Sequence, residues 1–220
     1  MNNLTKRISE LEKELSQDTQ KIVLLQTVFA LNSCLDKDDH TIAEHQKRVA
    51  VLAVKIAEKL NYSLDKIHGV YLAALIHDIG KLYVPSEVLN KPQHLSGEEK
   101  DIIRKHPTTA YDIVSDIEFT WPVKDIIIQH HELLDGSGYP HGLSGKEILD
   151  ESKILTVADI TEAVCSLRSY KESYGVKEAI QELNEGKGTK YDKTIVEACI
   201  EIVEDRSFSW TTAIPRHRLY

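Results

Sequence analysis

Features typical of secreted, membrane-spanning and nucleic-acid-binding proteins are absent from this chain. Its three cysteines have no regular spacing, so we expect no disulfide framework and a reducing, cytoplasmic environment. The first residues lack the apolar core of a signal peptide, and no apolar run is long enough to cross a membrane. A formal net charge of −8 argues against general nucleic-acid binding, which needs a basic face.

Sustained two-residue alternation of apolar and polar side chains is also absent, so no β-sheet is expected. Apolar residues instead recur at helical intervals, as on one face of the stretch from Glu44 to Leu60, which carries Val49, Leu52, Ala53, Ile56 and Leu60. His45 falls one turn before Val49, so its side chain is expected to point inward. With 220 residues, of which 41% are hydrophobic, the chain predicts an all-α protein with one substantial core.

The N-terminal stretch, residues 1–35, predicts a separate helix with a coiled-coil-like seam. Its apolar residues follow steps of four and three: Leu4, Ile8, Leu11, Leu15, Ile22, Leu25 and Phe29. Such a seam favours a homodimer. For the part after Ile22, an amphipathic helix that packs on its own domain is an equally good interpretation. Residues 36–220 form the second predicted unit.

Two adjacent polar residues, His77 and Asp78 in the string HDIGK, follow an apolar stretch. Ser63 predicts the N-cap of the helix that leads to them, and Gly80 predicts its end. Neighbours on a helix splay by roughly 100°, so the two side chains can converge only on something between them. A metal cluster meets that need, because the imidazole can bind one metal while the carboxylate bridges a pair.

Other parts of the chain supply further candidate ligands, namely His45, His106, His130, His131 and Asp159. The capping-box pattern of Ser96 and Glu99 opens the helix that leads to the histidine at 106, and the pair at 130 and 131 runs into a Gly- and Pro-rich loop. Any one inward histidine is more often a hydrogen-bonded core residue. Asp159 is the clearest single case, because a carboxylate among apolar neighbours is costly to bury unpaired.

The motifs HDIGK, HP at 106 and 107, HHE at 130–132, DGSGYP at 135–140 and VAD at 157–159 closely resemble those of the HD-GYP family of bacterial signalling phosphodiesterases. The resemblance covers roughly residues 36–205 and keeps the family's order. It implies an HD-type helical bundle, two or three divalent metal ions, and hydrolysis of cyclic di-GMP to pGpG and in some cases GMP. Iron or manganese suits the mixed ligand set best, and zinc is an alternative.

The resemblance also implies roles for residues around the metals. Lys81 would place an ammonium against a phosphate oxygen and stabilise charge in the transition state. Arg168 and Lys171 match the family's basic positions and would hold ligand phosphates. Gly138 and Tyr139 would shape the pocket, and the tyrosine ring offers a face for a guanine base.

One departure from the family concerns a third metal. Some members place an acidic residue shortly before the first histidine, and here His40 falls near that position. Imidazole binds the same metals, so His40 is a candidate third-site ligand, although an exposed histidine at a helix start is the simpler interpretation. Asp39 would contact the ligand or that metal. A third metal would favour cleavage through to GMP.

Three alternatives to cyclic di-GMP hydrolysis stay open. Another nucleotide phosphohydrolase of the HD type would share HDIGK but should lack the paired histidines and the GYP loop. A cyclic GMP-AMP phosphodiesterase would share every motif. A cyclic-dinucleotide-sensing module without turnover should have lost metal ligands, and none is missing here. In this family an N-terminal helix commonly joins a sensor domain, so an upstream domain or a partner protein is expected.

Overall fold

A computed structural model of the protein describes residues 19, 21–34, 40–91, 93–166 and 172–210. Helices dominate these ranges, which contain no β-strand and only two isolated bridges, Asp135 with Ser144 and Lys187 with Tyr191. The prediction of an all-α protein is therefore confirmed. None of the helices in these ranges is both long enough and apolar enough to span a bilayer.

In chain order the helices are α1 (residues 21–34), α2 (His40–Lys59), α3 (Leu64–Ile76), α4 (Ser86–Leu89), α5 (Gly97–Ile103), α6 (His106–Ile113), α7 (Val123–Gln129), α8 (Asp150–Ser166), α9 (Glu172–Gly186) and α10 (Lys193–Glu204). Short 3₁₀ turns cover Ile79–Tyr83 and Gly145–Glu147. Helix α2 begins earlier than the predicted start near Glu44 and ends close to the predicted end.

The centre of the fold is α3, which packs against α2, α7 and α8. From Ile67 onward nearly every residue of α3 is buried, because this helix is apolar on all sides and has neighbours on all sides. Helix α2 covers it with the predicted apolar face, on which Val49, Leu52 and Ile56 are fully buried. Each such side chain contributes about 1.5–3 kcal/mol by leaving water. Four of the elements that carry candidate metal ligands, α2, α3, α7 and α8, therefore meet at the centre of the fold.

The predicted caps are confirmed, but the predicted role of Gly80 is wrong. Ser63 caps α3 through the Lys66 backbone, and Ser96 caps α5 in a reciprocal capping box. Helix α3 ends at Ile76, three residues before the 3₁₀ turn that runs through Gly80. A Cβ on Gly80 would lie 2.1 Å from the carbonyl oxygen of His106, so the glycine permits close contact between this turn and α6.

Helix α1 packs on its own domain in the stretch after Ile22. Leu25 is 5% exposed and Val28 is fully buried, and both belong to the main hydrophobic core. Phe29 is partly buried against the same core. The coiled-coil interpretation is therefore wrong for Leu25, because this side chain packs in the core of its own domain. Ile22 is 38% exposed. Leu4, Ile8, Leu11 and Leu15 of the predicted seam lie outside the described residues.

Candidate metal centre

Seven predicted ligands come together at one end of the helical core. The elements that carry them are α2 with His45, the end of α3 with His77 and Asp78, the start of α6 with His106, the end of α7 with His130 and His131, and the middle of α8 with Asp159. Three overlapping groups of these residues have candidate ligand atoms within 4.8 Å of one another. Five separate stretches of sequence thus meet at one place.

Asp78 lies between two groups of histidines. Its Oδ1 is 3.2 Å from His106 Nε2, while its Oδ2 is 3.7 Å from His45 Nε2 and 3.6 Å from His77 Nε2. The carboxylate is 1% exposed, so water cannot solvate it freely. A carboxylate that faces ligands with both oxygens can bridge two cations.

Asp159 belongs to the group with His45 and His77, and the paired histidines belong to the group with His106. The Oδ1 atom of Asp159 lies 3.0 Å from His45 Nε2 and 3.6 Å from His77 Nε2. On the opposite side, His106, His130 and His131 form a compact set with their candidate ligand atoms close together. The site therefore offers two adjoining sets of nitrogen and oxygen ligands.

Helix ends orient three of the histidines. In each, Nδ1 donates to a main-chain carbonyl three residues earlier: His77 to Ala74 (2.9 Å), His106 to Ile103 (2.8 Å) and His130 to Ile127 (2.5 Å). These carbonyls belong to the last turns of α3, α5 and α7, and the carbonyl of Ile127 also accepts the backbone N–H of His130. Because a carbonyl only accepts, Nδ1 carries the proton and Nε2 turns its lone pair toward the site.

The residues fit a cluster of divalent cations. His77 Nε2 and Asp78 Oδ1 are buried without a hydrogen bond, a costly state for polar atoms. His106 Nε2 and His130 Nε2 are 3.3 Å apart, and with both Nδ1 atoms protonated their lone pairs face each other. That approach is repulsive unless a cation lies between them. Mixed imidazole and carboxylate ligands suit iron, manganese and zinc.

Burial and nearby charges keep most candidate ligands in the protonation state that metals bind. Burial opposes ionisation of Asp78, but Lys81 and His77 outweigh it and hold the pKa of this carboxyl well below its usual range. Burial lowers the pKa of His131 to about 3 and, together with His131, lowers the pKa of His130 well below its usual value. At neutral pH the carboxylate is therefore charged and both histidines are neutral, as metal ligation requires.

His45 differs from the other histidines. Burial opposes its charged form, but hydrogen bonds to Asp159 and Glu162 outweigh burial and raise its pKa to about 10. Burial opposes ionisation of Asp159, but its hydrogen bond to His45 and the nearby His77 outweigh burial and hold the pKa of this carboxyl well below the usual range. A metal ion at His45 would therefore replace a proton.

Lys81 lies at the edge of the site. Its Nζ is 2.6 Å from Asp78 Oδ2, and the side chain is 23% exposed, so the ammonium contacts both the cluster and its surroundings. The 3₁₀ turn that follows the HD pair brings it back over the aspartate. This position can place a positive charge next to an anionic ligand.

The GYP loop packs against the paired histidines. A Cβ on Gly138 would lie 2.5 Å from the Glu132 backbone, so only glycine allows the loop to come this close. The Tyr139 ring stacks on the His131 ring at 4.7 Å with an interplanar angle of 28°. Arg104 lies 5.4 Å from the centre of the same tyrosine ring. Tyr139 therefore supports a candidate ligand, and its contact with a guanine base stays a prediction.

Glu132, Glu162 and Arg104 were not assigned roles from the sequence. Glu132 is 2% exposed and accepts hydrogen bonds from the backbone of His141 (2.7 Å) and Leu143 (2.9 Å), which shapes the loop. Glu162 lies three residues after Asp159, a spacing that puts both on one face of α8 and could have drawn attention to it. No signal in the sequence marks Arg104.

Four predicted site residues lie wholly or in part outside the described residues. Arg168 and Lys171 fall in residues 167–171, and Asp39 falls in residues 35–39, all outside the described ranges. The backbone of His40 begins α2, but its side chain lies outside the described part of the structure. Their roles stay predictions.

A family model for the HD domain matches residues 30–195. A cyclic di-GMP phosphodiesterase response regulator of Xanthomonas campestris is 33% identical over 177 residues, covering 80% of this chain and 47% of the relative. A cyclic di-GMP phosphodiesterase of Thermotoga maritima is 32% identical over 211 residues, covering 93% of this chain and 57% of the relative. The chain thus spans about half the length of these curated relatives.

Solved structures share the fold. An HDG"Y"P protein from Bdellovibrio bacteriovorus has a TM-score of 0.63 and 26% identity, over 75% of this chain and 53% of that one. A phosphodiesterase HD domain from L. monocytogenes, solved with cyclic-di-AMP, has a TM-score of 0.57 and 21% identity, over 78% of this chain and 94% of that one. With the family match and the HD and GYP motifs in place, this chain belongs to the HD-domain family, in its HD-GYP branch.

Proposed function

We propose that this domain is a metal-dependent phosphodiesterase that hydrolyses cyclic di-GMP. The observation that carries the proposal is the convergence of five histidines and Asp159 around the buried carboxylate of Asp78. Relatives named as cyclic di-GMP phosphodiesterases support the choice of substrate. No expected ligand of the core set is missing, which argues against a sensing module without turnover.

The proposed ligands are His45, His77, Asp78, His106, His130, His131 and Asp159. Two divalent ions bound there, iron or manganese with zinc as the alternative, would supply Lewis acidity and an activated water near neutral pH. The protein's own contribution is to hold these side chains in fixed tautomers and orientations, which the helix-end hydrogen bonds support.

Positive side chains would stabilise the negative charge of the phosphates. Lys81, at the edge of the cluster, would offset the negative charge that develops on the phosphoryl oxygens. Arg168 and Lys171 would hold the substrate phosphates, and the 3′ oxygen would leave to give linear pGpG. No covalent intermediate is needed. Burial raises the pKa of the Cys165 thiol to about 11, so this cysteine is a poor nucleophile.

A third metal and the final product belong to the same proposal. His40, with Asp39 next to it, would complete a third site that helps to orient the second phosphodiester. Three metals would favour cleavage through to GMP, whereas two would favour release of pGpG. Product analysis together with metal counting in wild type and His40→Ala tests this part.

We also propose that residues before Gln20 form a parallel dimer and relay a signal from an upstream domain or a partner protein. The heptad-like spacing of Leu4, Ile8, Leu11 and Leu15 supports this. Cytoplasmic location is proposed on the three free cysteines, Cys34, Cys165 and Cys199.

Cyclic GMP-AMP is the second candidate substrate. Two relatives from Vibrio cholerae, 32% and 30% identical, are named 3'3'-cGAMP-specific phosphodiesterases. Both substrates present the same phosphodiester to the metals and differ in one base. A competition assay with equal concentrations of the two dinucleotides distinguishes the candidates.

Asp78→Ala tests the enzyme proposal. We expect purified, metal-loaded wild type to convert cyclic di-GMP to pGpG, measured by chromatography, and the variant to lose turnover while its circular dichroism stays helical. Asp116→Ala is the matched control, because Asp116 is exposed and belongs to none of the candidate ligand groups, and it should keep full activity. Full activity in Asp78→Ala would contradict the proposal.

A further inference from the structure

Glu162 is a buried carboxylate with three partners. Its side chain is 1% exposed. Oε2 is hydrogen-bonded to His45 Nδ1, while Oε1 accepts from Arg48 Nε and from Ser166 Oγ. A buried carboxylate is stable only when it is paired in this way. The contact with His45 is the one that reaches the metal centre.

The position of His45 explains why a side chain is needed there. Three other histidines of the site fix Nδ1 on a carbonyl in the last turn of a helix. His45 lies inside α2, where each carbonyl accepts from the N–H group four residues later. The partner of its Nδ1 comes from another element, because α8 supplies Glu162.

We propose that Glu162 is a positioning residue that sets the metal affinity of His45. By holding Nδ1, the carboxylate turns Nε2 toward Asp159 and Asp78, which lie 3.0 Å and 3.7 Å away. A carboxylate behind a ligating imidazole also makes the ligand more basic. This inference rests on the proposed metal site and adds a residue that does not itself touch the metal.

Loss of the carboxylate should weaken metal binding. Glu162→Ala is expected to lower the affinity of the metal bound by His45 by about 10–100-fold, the usual cost of losing such a partner. Glu162→Gln keeps the shape and one acceptor oxygen but not the charge, so its loss should be smaller. Ser166→Ala is the matched control, since it removes another partner of Glu162 and leaves the His45 contact in place.

A purely structural role for Glu162 makes a different prediction. Arg48 on α2 joins Glu162 on α8, so the carboxylate could serve only to hold the two helices together. In that case Arg48→Ala would weaken metal binding as much as Glu162→Ala does. A positioning role predicts that Arg48→Ala changes metal affinity much less, because His45 keeps its acceptor.

The test is a titration of Mn²⁺ into metal-free wild type and into Glu162→Ala, Glu162→Gln, Ser166→Ala and Arg48→Ala. Binding is measured by calorimetry and by the electron paramagnetic resonance signal of free Mn²⁺. Wild-type affinity in Glu162→Ala, or an equal loss in Arg48→Ala, would overturn the positioning role. If Glu162→Ala does not fold, Glu162→Gln decides by the same comparison. Failure of wild type to bind Mn²⁺, Fe²⁺ or Zn²⁺ would instead refute the proposed function, so the two failures are distinguishable.

Discussion

Gly80→Ala should damage the metal centre although it replaces no candidate ligand. The new Cβ would lie 2.1 Å from the carbonyl oxygen of His106 and 2.8 Å from the backbone nitrogen of Ala110. Both are backbone atoms, so the 3₁₀ turn and α6 must move apart by at least about 1 Å to restore ordinary contact. Asp78 precedes this turn and His106 begins α6, so the displacement separates two candidate ligands.

The size of the effect follows from this geometry. Overpacking of this kind typically costs about 1–3 kcal/mol. For a domain of this length that corresponds to a fall in melting temperature of roughly 2–12 °C. Displacing a reacting group by about 1 Å can lower turnover by roughly 100-fold.

Thermal unfolding by circular dichroism and turnover of cyclic di-GMP would measure both effects. Gly97→Ala is the matched control, because a Cβ on this glycine meets nothing within 4 Å. It should leave both quantities near wild type. If Gly80→Ala matched Gly97→Ala in melting temperature and turnover, the proposed contact between the turn and α6 would be refuted.

Other predictions test separate parts of the account. Removing either charge, in Arg168→Ala or Lys171→Ala, should raise KM or lower turnover while metal content stays unchanged; metal loss would mean that the residue organises the cluster. Deleting the residues before Gln20 should shift the protein toward monomer in sedimentation, and an unchanged mass would contradict the dimer. His40→Ala should lower the metal count by one and shift products from GMP toward pGpG, and two metals per chain with the same products in both proteins would contradict the third site. Cys199, whose pKa burial raises to about 12, should resist alkylation at neutral pH until the protein is denatured.

Much of the metal centre could be predicted because its ligands stand out from their neighbours in the sequence. A histidine next to an aspartate after an apolar helix has few structural uses, and Asp159 among apolar neighbours needs a partner. The helices were also predictable, since the apolar periodicity of α2 and the cap at Ser63 are local signals. Local signals of this kind depend little on which elements meet in the fold.

Features that depend on contacts between distant elements could not be predicted. The sequence predicted that Gly80 ends a helix. In the structure a glycine is needed there because the carbonyl of His106, on another helix, leaves no room for a Cβ. The apolar face of α1 predicts that something covers it but not which element does. In the structure Leu25 belongs to the core of its own domain. The acceptor for His45 could be recognised only once α2 and α8 were known to be neighbours.

We have proposed that Asp78 and the surrounding histidines form a hydrolytic metal centre for cyclic di-GMP. The most direct test counts metals by mass spectrometry and identifies products by chromatography on one purified, metal-loaded sample. We predict at least two metal ions per chain and release of pGpG. A fully metallated protein that cleaves no cyclic dinucleotide would contradict the claim.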